Sequence, residues 1–259
     1  VNLWLLAAKG SGIALGMLLF ASPANILKQL IANVIQAFGK GGTRRDDVIE
    51  MMKLLYELFL AGRRNGLIAL DDHVTEPEAS KIFSKYPNFM SDKRRVEFLC
   101  SALRPVIDGK VKPEDLSSIL DAEIHSMEEE ASRPAGVLAL IGDSLPGIGI
   151  VAAVLGIINT MSAIAEGPEK VGEKVAAALT GTFLGVLGAY GFINPIHKRL
   201  EFMSEAEIIY YRTMARCIAG FARGLSPIMA IEVARRGLPS EYQTPPDDLE
   251  RLLKESIAA

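Results

Sequence analysis

Two stretches of this sequence, Ser144–Ala165 and Val175–Ile196, carry no charged residue, and each is 22 residues long. A helix needs about 20 mostly apolar residues to cross the hydrocarbon core of a bilayer. Inside lipid, every backbone polar group must be paired within the structure, and a helix does this by itself. Both stretches therefore read as membrane-spanning helices. A third candidate, Val1–Leu27, holds one charge, Lys9, which must snorkel or face a cavity. Mean hydropathy is +0.24 although 23% of the 259 residues are charged, so apolar runs and charges are segregated.

Lysines and arginines near the span ends set the orientation. Lys28, Lys40, Arg44 and Arg45 follow the first span, Arg133 precedes the second, and Lys198 and Arg199 follow the third. The loop EGPEKVGEK has Lys170 and Lys174 alone. By the positive-inside rule that loop is periplasmic and the flanking regions are cytoplasmic. The first span then runs from outside to inside, which predicts one more span upstream of Val1. The expected class is an all-α membrane protein with a helical cytoplasmic domain, three spans being visible of an expected four. Its expected segments are a span over 1–27, a cytoplasmic domain over 28–133, a span over 134–165, a periplasmic loop over 166–174, a span over 175–197 and a cytoplasmic tail over 198–259.

The polar parts read as helices too. Val48, Met51, Met52, Leu55, Leu58 and Phe59 recur at helical spacing, with Asp46–Asp47 at the start, Arg63–Arg64 at the end and Asn65–Gly66 as the stop. A second helix is expected from Ser91 to Ile107, stopped by Asp108–Gly109. A third starts at Pro113 and can run through Pro134 into the second span. After the third span, helix is expected from Leu200 to Arg236, followed by a short one near Asp247–Ser256.

Several chemistries find no support. A net charge of −3 gives no electrostatic case for nucleic acid. Cys100 and Cys217 stand far apart and read as reduced, inert thiols, and His73, His125 and His197 are scattered, so no metal site, cofactor or enzyme centre is expected. Neither charge-free span holds a carboxylate, His, Lys or Arg. Asn159 and Thr160 lie near the outer end of one, and Thr180, Thr182, Tyr190 and Asn194 in the other. If protons cross here, a partner chain supplies the acid. Gly181, Gly185 and Ala189 lie four apart on one face, as do Gly149 with Ala153 and Ala152 with Gly156. Such faces let helices approach closely, either these spans against each other or a partner helix against them. Pro146 denies its helix one backbone bond and makes a static kink or a moving hinge. Asp143 either caps the span at the water boundary or stands at the cytoplasmic mouth of a pathway.

The stretch ALTGTFLGVLGAYGFINP, residues 178–195, resembles the signature of the MotA/TolQ/ExbB proton channel family in Ala178, Leu179, Gly181, Thr182, Gly185 and the closing Pro195. GVLALIGDSLPGIGIVAAVLG (136–156), ELFLAGRRNGLIALDDHV (57–74) and SKIFSKYP (80–87) resemble the flagellar stator branch of that family. The resemblance covers nearly the whole sequence. It implies four membrane helices, the last three falling here. It also implies a homo-oligomer, a pentamer, in the inner membrane lipid around two helices of a MotB-type subunit that supplies the membrane carboxylate. Ion flow would then turn the rotor through its protein FliG. By the same resemblance, Pro146 and Pro195 couple ion passage to conformational change, Thr182 lines the channel near the partner's carboxylate, and Arg63 and Asp71 contact the rotor. Read without it, Arg63 stabilises a helix C-terminus and Asp71 caps the next helix. Sodium-type relatives carry an extra threonine where this chain has Gly181, so the expected ion is the proton, not sodium. An ExbB/TolQ-type subunit energising outer-membrane transport is the alternative, and a scaffold without ion flow is a more distant one.

Overall fold

The computed structural model describes residues 12, 16–39, 41–161 and 164–258, and every regular element among them is helical. Lys9, Lys40 and most of the span expected over 1–27 lie outside the described residues; helix is described there over 16–21. In chain order the helices are α1 (Ala24–Phe38), α2 (Arg45–Asn65), α3 (Asp71–Thr75), α4 (Pro87–Ser91), α5 (Lys93–Ile107), α6 (Pro113–Met161), α7 (Pro168–Gly188), α8 (Asn194–Ala222), α9 (Pro227–Arg236) and α10 (Pro246–Ala258). A π-turn, Ala189–Ile193, joins α7 to α8. The chain divides into two compact units: residues 1–41 with 129–204, and residues 42–128 with 205–259.

The second unit holds the larger apolar core. α2 starts where the Asp47 carboxylate accepts the Arg44 N–H at 2.8 Å, and it ends at Gly66, whose φ of 86° an L side chain rarely adopts. Met51, Leu54, Leu55, Leu58 and Phe59 of α2 are fully buried, and Phe59 stacks on Phe221 of α8 at 4.3 Å. Each such side chain contributes roughly 1.5–3 kcal/mol by leaving water. One carboxylate is drawn into this core: Glu57 accepts the Tyr86 hydroxyl at 2.6 Å and the Lys85 ammonium at 3.2 Å. In α9 the buried Arg235 holds both oxygens of Glu232, at 2.7 and 2.8 Å, and donates to the Thr244 carbonyl at 3.1 Å. Cys100 and Cys217 are free thiols in the same core, and burial pushes Cys100 up to about 11.

Two expected helices are corrected here. The helix expected from Ser91 begins at Lys93, because the Asp92 carboxylate accepts the N–H groups of Arg94 and Arg95 and so fixes the N-cap. Ser91 belongs to α4. The continuous helix expected over Leu200–Arg236 is two. α8 stops at Ala222, Gly224 takes a φ of 87°, and Pro227 opens α9 as its first residue.

The other unit has a small core, Leu30 of α1, Ala135 and Leu138 of α6 and Leu200 of α8, with Val34, Ile193, Ile196 and Met203 packed around it. Beyond it the apolar residues point outward. Val154, Leu155 and Ile158 of α6 and Leu179, Phe183 and Val186 of α7 are all exposed. Both long helical stretches, Pro113–Met161 and Pro168–Ala222, are long and apolar enough to cross a membrane, yet their most apolar windows are only 22% and 11% buried within the chain. Surface of that extent requires lipid or another chain.

Pro195 does not break the helix as expected. The helical path runs on to Ala222. The reason lies one turn earlier, where the Asn194 N–H donates to the Ala189 carbonyl, five residues back. This wider turn accommodates a ring that has no N–H to offer the preceding turn.

Candidate functional site

α6 and α7 run antiparallel and touch at their smallest residues. A β-carbon at Gly185 would stand 2.7 Å from the Leu145 carbonyl oxygen and 3.2 Å from the Gly149 Cα. One at Gly149 would stand 3.1 Å from the Gly181 oxygen and from the Thr182 Cα, and one at Gly156 would stand 2.6 Å from the Ala178 β-carbon. Gly181 faces the Ala152 methyl at a more ordinary 3.5 Å, and Ala189 is fully buried. The contact positions on α6 (145, 149, 152, 156) step by three or four residues, the spacing of a side-by-side antiparallel helix pair. Small residues at those steps bring backbone against backbone, which in lipid supplies the packing that the hydrophobic effect does not.

Thr182 sits in this seam. Its hydroxyl donates to the Gly149 carbonyl across the helix pair at 3.2 Å. Three other span hydroxyls stay on their own helices: Thr160 donates to Gly156, Thr180 to Ala176 and Ser144 to Leu140. Lys174, at the start of α7, reaches the Asn159 carbonyl at 3.5 Å. A cation there suits the negative end of α6.

The remaining candidates lie at the other end of the pair. Pro146 is half-buried on α6, and Asp143, one turn before it, is exposed. Pro195 is exposed on α8. What joins these two motifs is a pair of residues that sequence reading gave no role, Gly142 and Asn194. A β-carbon at Gly142 would collide with the Asn194 side-chain amide and lie 3.3 Å from Ile193 Cγ2. The available signal was positional: Gly142 stands four residues before one proline, and Asn194 directly before the other.

Arg63 and Asp71 belong to the other unit. Arg63 lies in the last turn of α2 and Asp71 opens α3; a single 3-10 turn, Leu67–Leu70, separates the helices. Both side chains are exposed and have no ion pair or hydrogen bond among the described residues. Asp71 has helical dihedrals, and no side chain caps α3, so it is not the N-cap. Between the charges Ile68 is 82% exposed. Among the described residues no cluster of three His, Cys, Asp or Glu side chains could hold a metal ion.

A model of the MotA/TolQ/ExbB proton channel family matches residues 91–213. Motility protein A of Salmonella typhimurium is 30% identical over 229 residues, which span 88% of this chain and 78% of that protein. The chain belongs to the MotA/TolQ/ExbB proton channel family. Within the family, chemotaxis protein LafT of Vibrio parahaemolyticus is 31% identical over 245 residues, 94% of this chain and 86% of that one. The fold is shared with solved structures. MotAB of C. jejuni superposes with a TM-score of 0.71 at 22% identity, covering 91% of this chain and 83% of that one. The flagellar MotAB stator complex of Bacillus subtilis superposes with a TM-score of 0.67 at 21% identity, covering 96% and 86%. As a member of the MotA/TolQ/ExbB family the chain is a membrane protein, and among the described residues Pro113–Met161 and Pro168–Ala222 are the helical stretches long and apolar enough to cross a membrane. The matched region contains the glycine seam, Thr182 and both prolines; Arg63 and Asp71 lie outside it.

Proposed function

We propose that this chain is a stator subunit of the bacterial flagellar motor, acting with a MotB-type subunit as an ion-conducting complex that turns ion flow into torque on the rotor. One observation carries the reading. A chain of this family, about as similar to motility protein A as to LafT, presents two antiparallel helices whose seam holds the Thr182 hydroxyl bonded across to Gly149 and whose outer faces are apolar and uncovered. Those faces suit neighbouring copies, a partner helix and lipid. The complex is a pentamer in the inner membrane, with the unit built on 42–128 and 205–259 in the cytoplasm. The partner contributes the titrating carboxylate that the spans of this chain lack, and no cofactor takes part. The translocated ion is the proton, because Gly181 leaves Thr182 without a second hydroxyl beside it, and one oxygen fewer weakens a site for a dehydrated cation.

The test is complementation. Expressed with its partner subunit in cells that lack their own stator, the chain restores swimming, at a speed that follows the proton-motive force and not external sodium. A strong sodium dependence at fixed proton-motive force sinks the proton assignment. No swimming at all, with rescue of an outer-membrane transport defect, favours the ExbB/TolQ-type reading. Thr182→Val keeps the side-chain shape and removes the hydroxyl, so proton flux should fall by about tenfold while the protein still accumulates.

Arg63 and Asp71 are the rotor contacts in this proposal, with FliG as the partner. Their exposure and lack of internal partners support it, since charges already paired would gain little from a second surface. Arg63→Glu and Asp71→Lys should each reduce torque several-fold without altering membrane abundance, a loss that opposite reversals on the rotor partly restore. Absence of any rescue across the rotor's charged positions returns both residues to a structural role.

A further inference from the structure

We infer that Ile68 is the apolar anchor of the rotor contact: it enters an apolar recess on a partner protein that carries acidic groups on the Arg63 side and basic groups on the Asp71 side. The inference rests on the stator reading, under which Arg63 and Asp71 face the rotor, and adds the chemistry of the surface they meet. A single exposed isoleucine is ordinary on a protein surface. What sets Ile68 apart is how it is held. At 82% it is the most exposed large apolar side chain among the described residues of its unit, and Leu67 beside it is exposed too. Leu70, two residues on, is fully buried. Gly62 gives Leu70 its seat, since a β-carbon there would stand 2.8 Å from Leu70 Cδ1. Gly66 enters the turn with a φ of 86°, its carbonyl accepts the Ala69 N–H at 3.1 Å, and the Ile68 carbonyl accepts the Asp71 N–H. The turn is therefore pinned at both ends, and with Leu70 turned inward Ile68 is turned outward.

The charges around it are sorted by sign. Arg63 and Arg64 precede the turn, Asp71 and Asp72 follow it, and all four are exposed. Helix ends account for where these charges fall in the chain. Their side chains nevertheless make no ion pair or hydrogen bond among the described residues. Exposed charges elsewhere in the same unit do pair, Lys110 with Asp108 at 2.7 Å and Lys254 with Glu250 at 2.6 Å. An apolar centre inside a polar rim is how protein interfaces are built: the buried centre carries the affinity, and the rim charges set orientation and exclude wrong partners. An anionic lipid surface or a nucleic acid would be repelled by the aspartate pair. A protein surface with the opposite order of charges would satisfy both pairs at once. Ile68 would supply what charge alone does not, a contact that holds when salt screens the rim.

Swimming and cross-linking decide it, in cells that lack their own stator. Ile68→Ser should slow swimming about three- to tenfold, with membrane abundance and the melting temperature of the solubilised protein unchanged. Ile68→Met, which keeps the apolar contact, should retain more than about half the speed. Normal swimming with Ile68→Ser overturns the anchor, and so does an equal loss with serine and methionine. A fall in abundance or melting temperature that accounts for the loss overturns it too. Ile68→Cys, carrying a thiol-reactive photo-crosslinker, should be linked to the rotor protein; Cys100 and Cys217 are buried and do not take the label. A link to a second copy of this chain, or to no protein, overturns the proposal. If the unaltered chain fails to restore swimming, the stator reading falls and the anchor with it. If it swims, and the reversals at Arg63 and Asp71 slow it while Ile68→Ser does not, the anchor alone falls.

Discussion

Gly185→Ala is expected to stop the motor. A single methyl group at 185 meets the Leu145 carbonyl oxygen at 2.7 Å and the Gly149 Cα at 3.2 Å. Both are backbone atoms in the middle of a helix, so no side chain can rotate away. α6 and α7 must separate by several tenths of an ångström or more. Overpacking of this kind costs about 1–3 kcal/mol in a core that can adjust, and a seam made of backbone is less able to adjust. The loss should also spread, because separation lengthens the bond from Thr182 to Gly149, 3.2 Å in the closed seam. Swimming and proton flux should fall to background, with reduced abundance of the chain in the membrane. Two substitutions serve as controls on the same helices. Gly147→Ala meets nothing within 4 Å, and Gly188→Ala meets the Leu145 Cδ1 at an ordinary 3.7 Å. Both should swim normally. Normal swimming with Gly185→Ala would mean that the seam opens freely.

The second large effect concerns stability. Arg235 is 7% exposed, and its guanidinium holds both oxygens of Glu232 and the carbonyl of buried Thr244. Arg235→Ala removes these bonds together and leaves the carboxylate to Arg236 alone, at 2.9 Å. Such a loss should cost about 3 kcal/mol, since breaking a paired buried charge leaves its partner uncompensated. Thermal melting of the solubilised protein should drop by roughly 6–12 °C. The same pair sets an acid limit. Arg235, then Arg236, hold the Glu232 carboxyl down at about 2, below the ordinary 4.5. A lowered folded value means that the contribution is complete above the unfolded value and is lost as pH falls. The window is therefore pH 4.5 down to about 2. Screening at a partly exposed carboxylate limits the amount to roughly 1–2 kcal/mol. Glu232→Gln should remove this part of the acid dependence while leaving stability at neutral pH lowered throughout. An unchanged acid profile would show that Glu232 is not the titrating group.

The two long apolar helices were readable because they depend on composition alone: a stretch free of charge for 22 residues has few alternatives. The ends of α2 were readable because Asp46–Asp47, Arg63–Arg64 and Gly66 act locally, within one turn. The break after Ala222 was not, since Leu200–Arg236 keeps helical spacing on both sides of Gly224 and only the backbone angle separates them. The π-turn has no residue code of its own. It answers a proline two residues further on, by a choice the helix makes among several ways to lose one bond. The meeting of Gly142 with Asn194 joins positions 52 residues apart in sequence, and nothing local to either announces the other. The small residues were legible as a pattern, but which of them mesh is a property of the pair: Gly185 is tight, while Gly147 and Gly172 have open space.

A hydroxyl has one proton, and Thr182 has committed it to Gly149. Toward anything else it presents lone pairs alone. On the proposed reading, the partner's carboxyl group meets an acceptor there, which greets the acid form with a hydrogen bond and the carboxylate with repulsion between lone pairs. The residue would then act as a bias on occupancy, holding a proton that has arrived and giving no welcome to the charge left when it departs. Release would depend on turning that hydroxyl away from Gly149, so that the bond which fastens two helices together and the affinity of the neighbouring acid for its proton become one adjustable quantity.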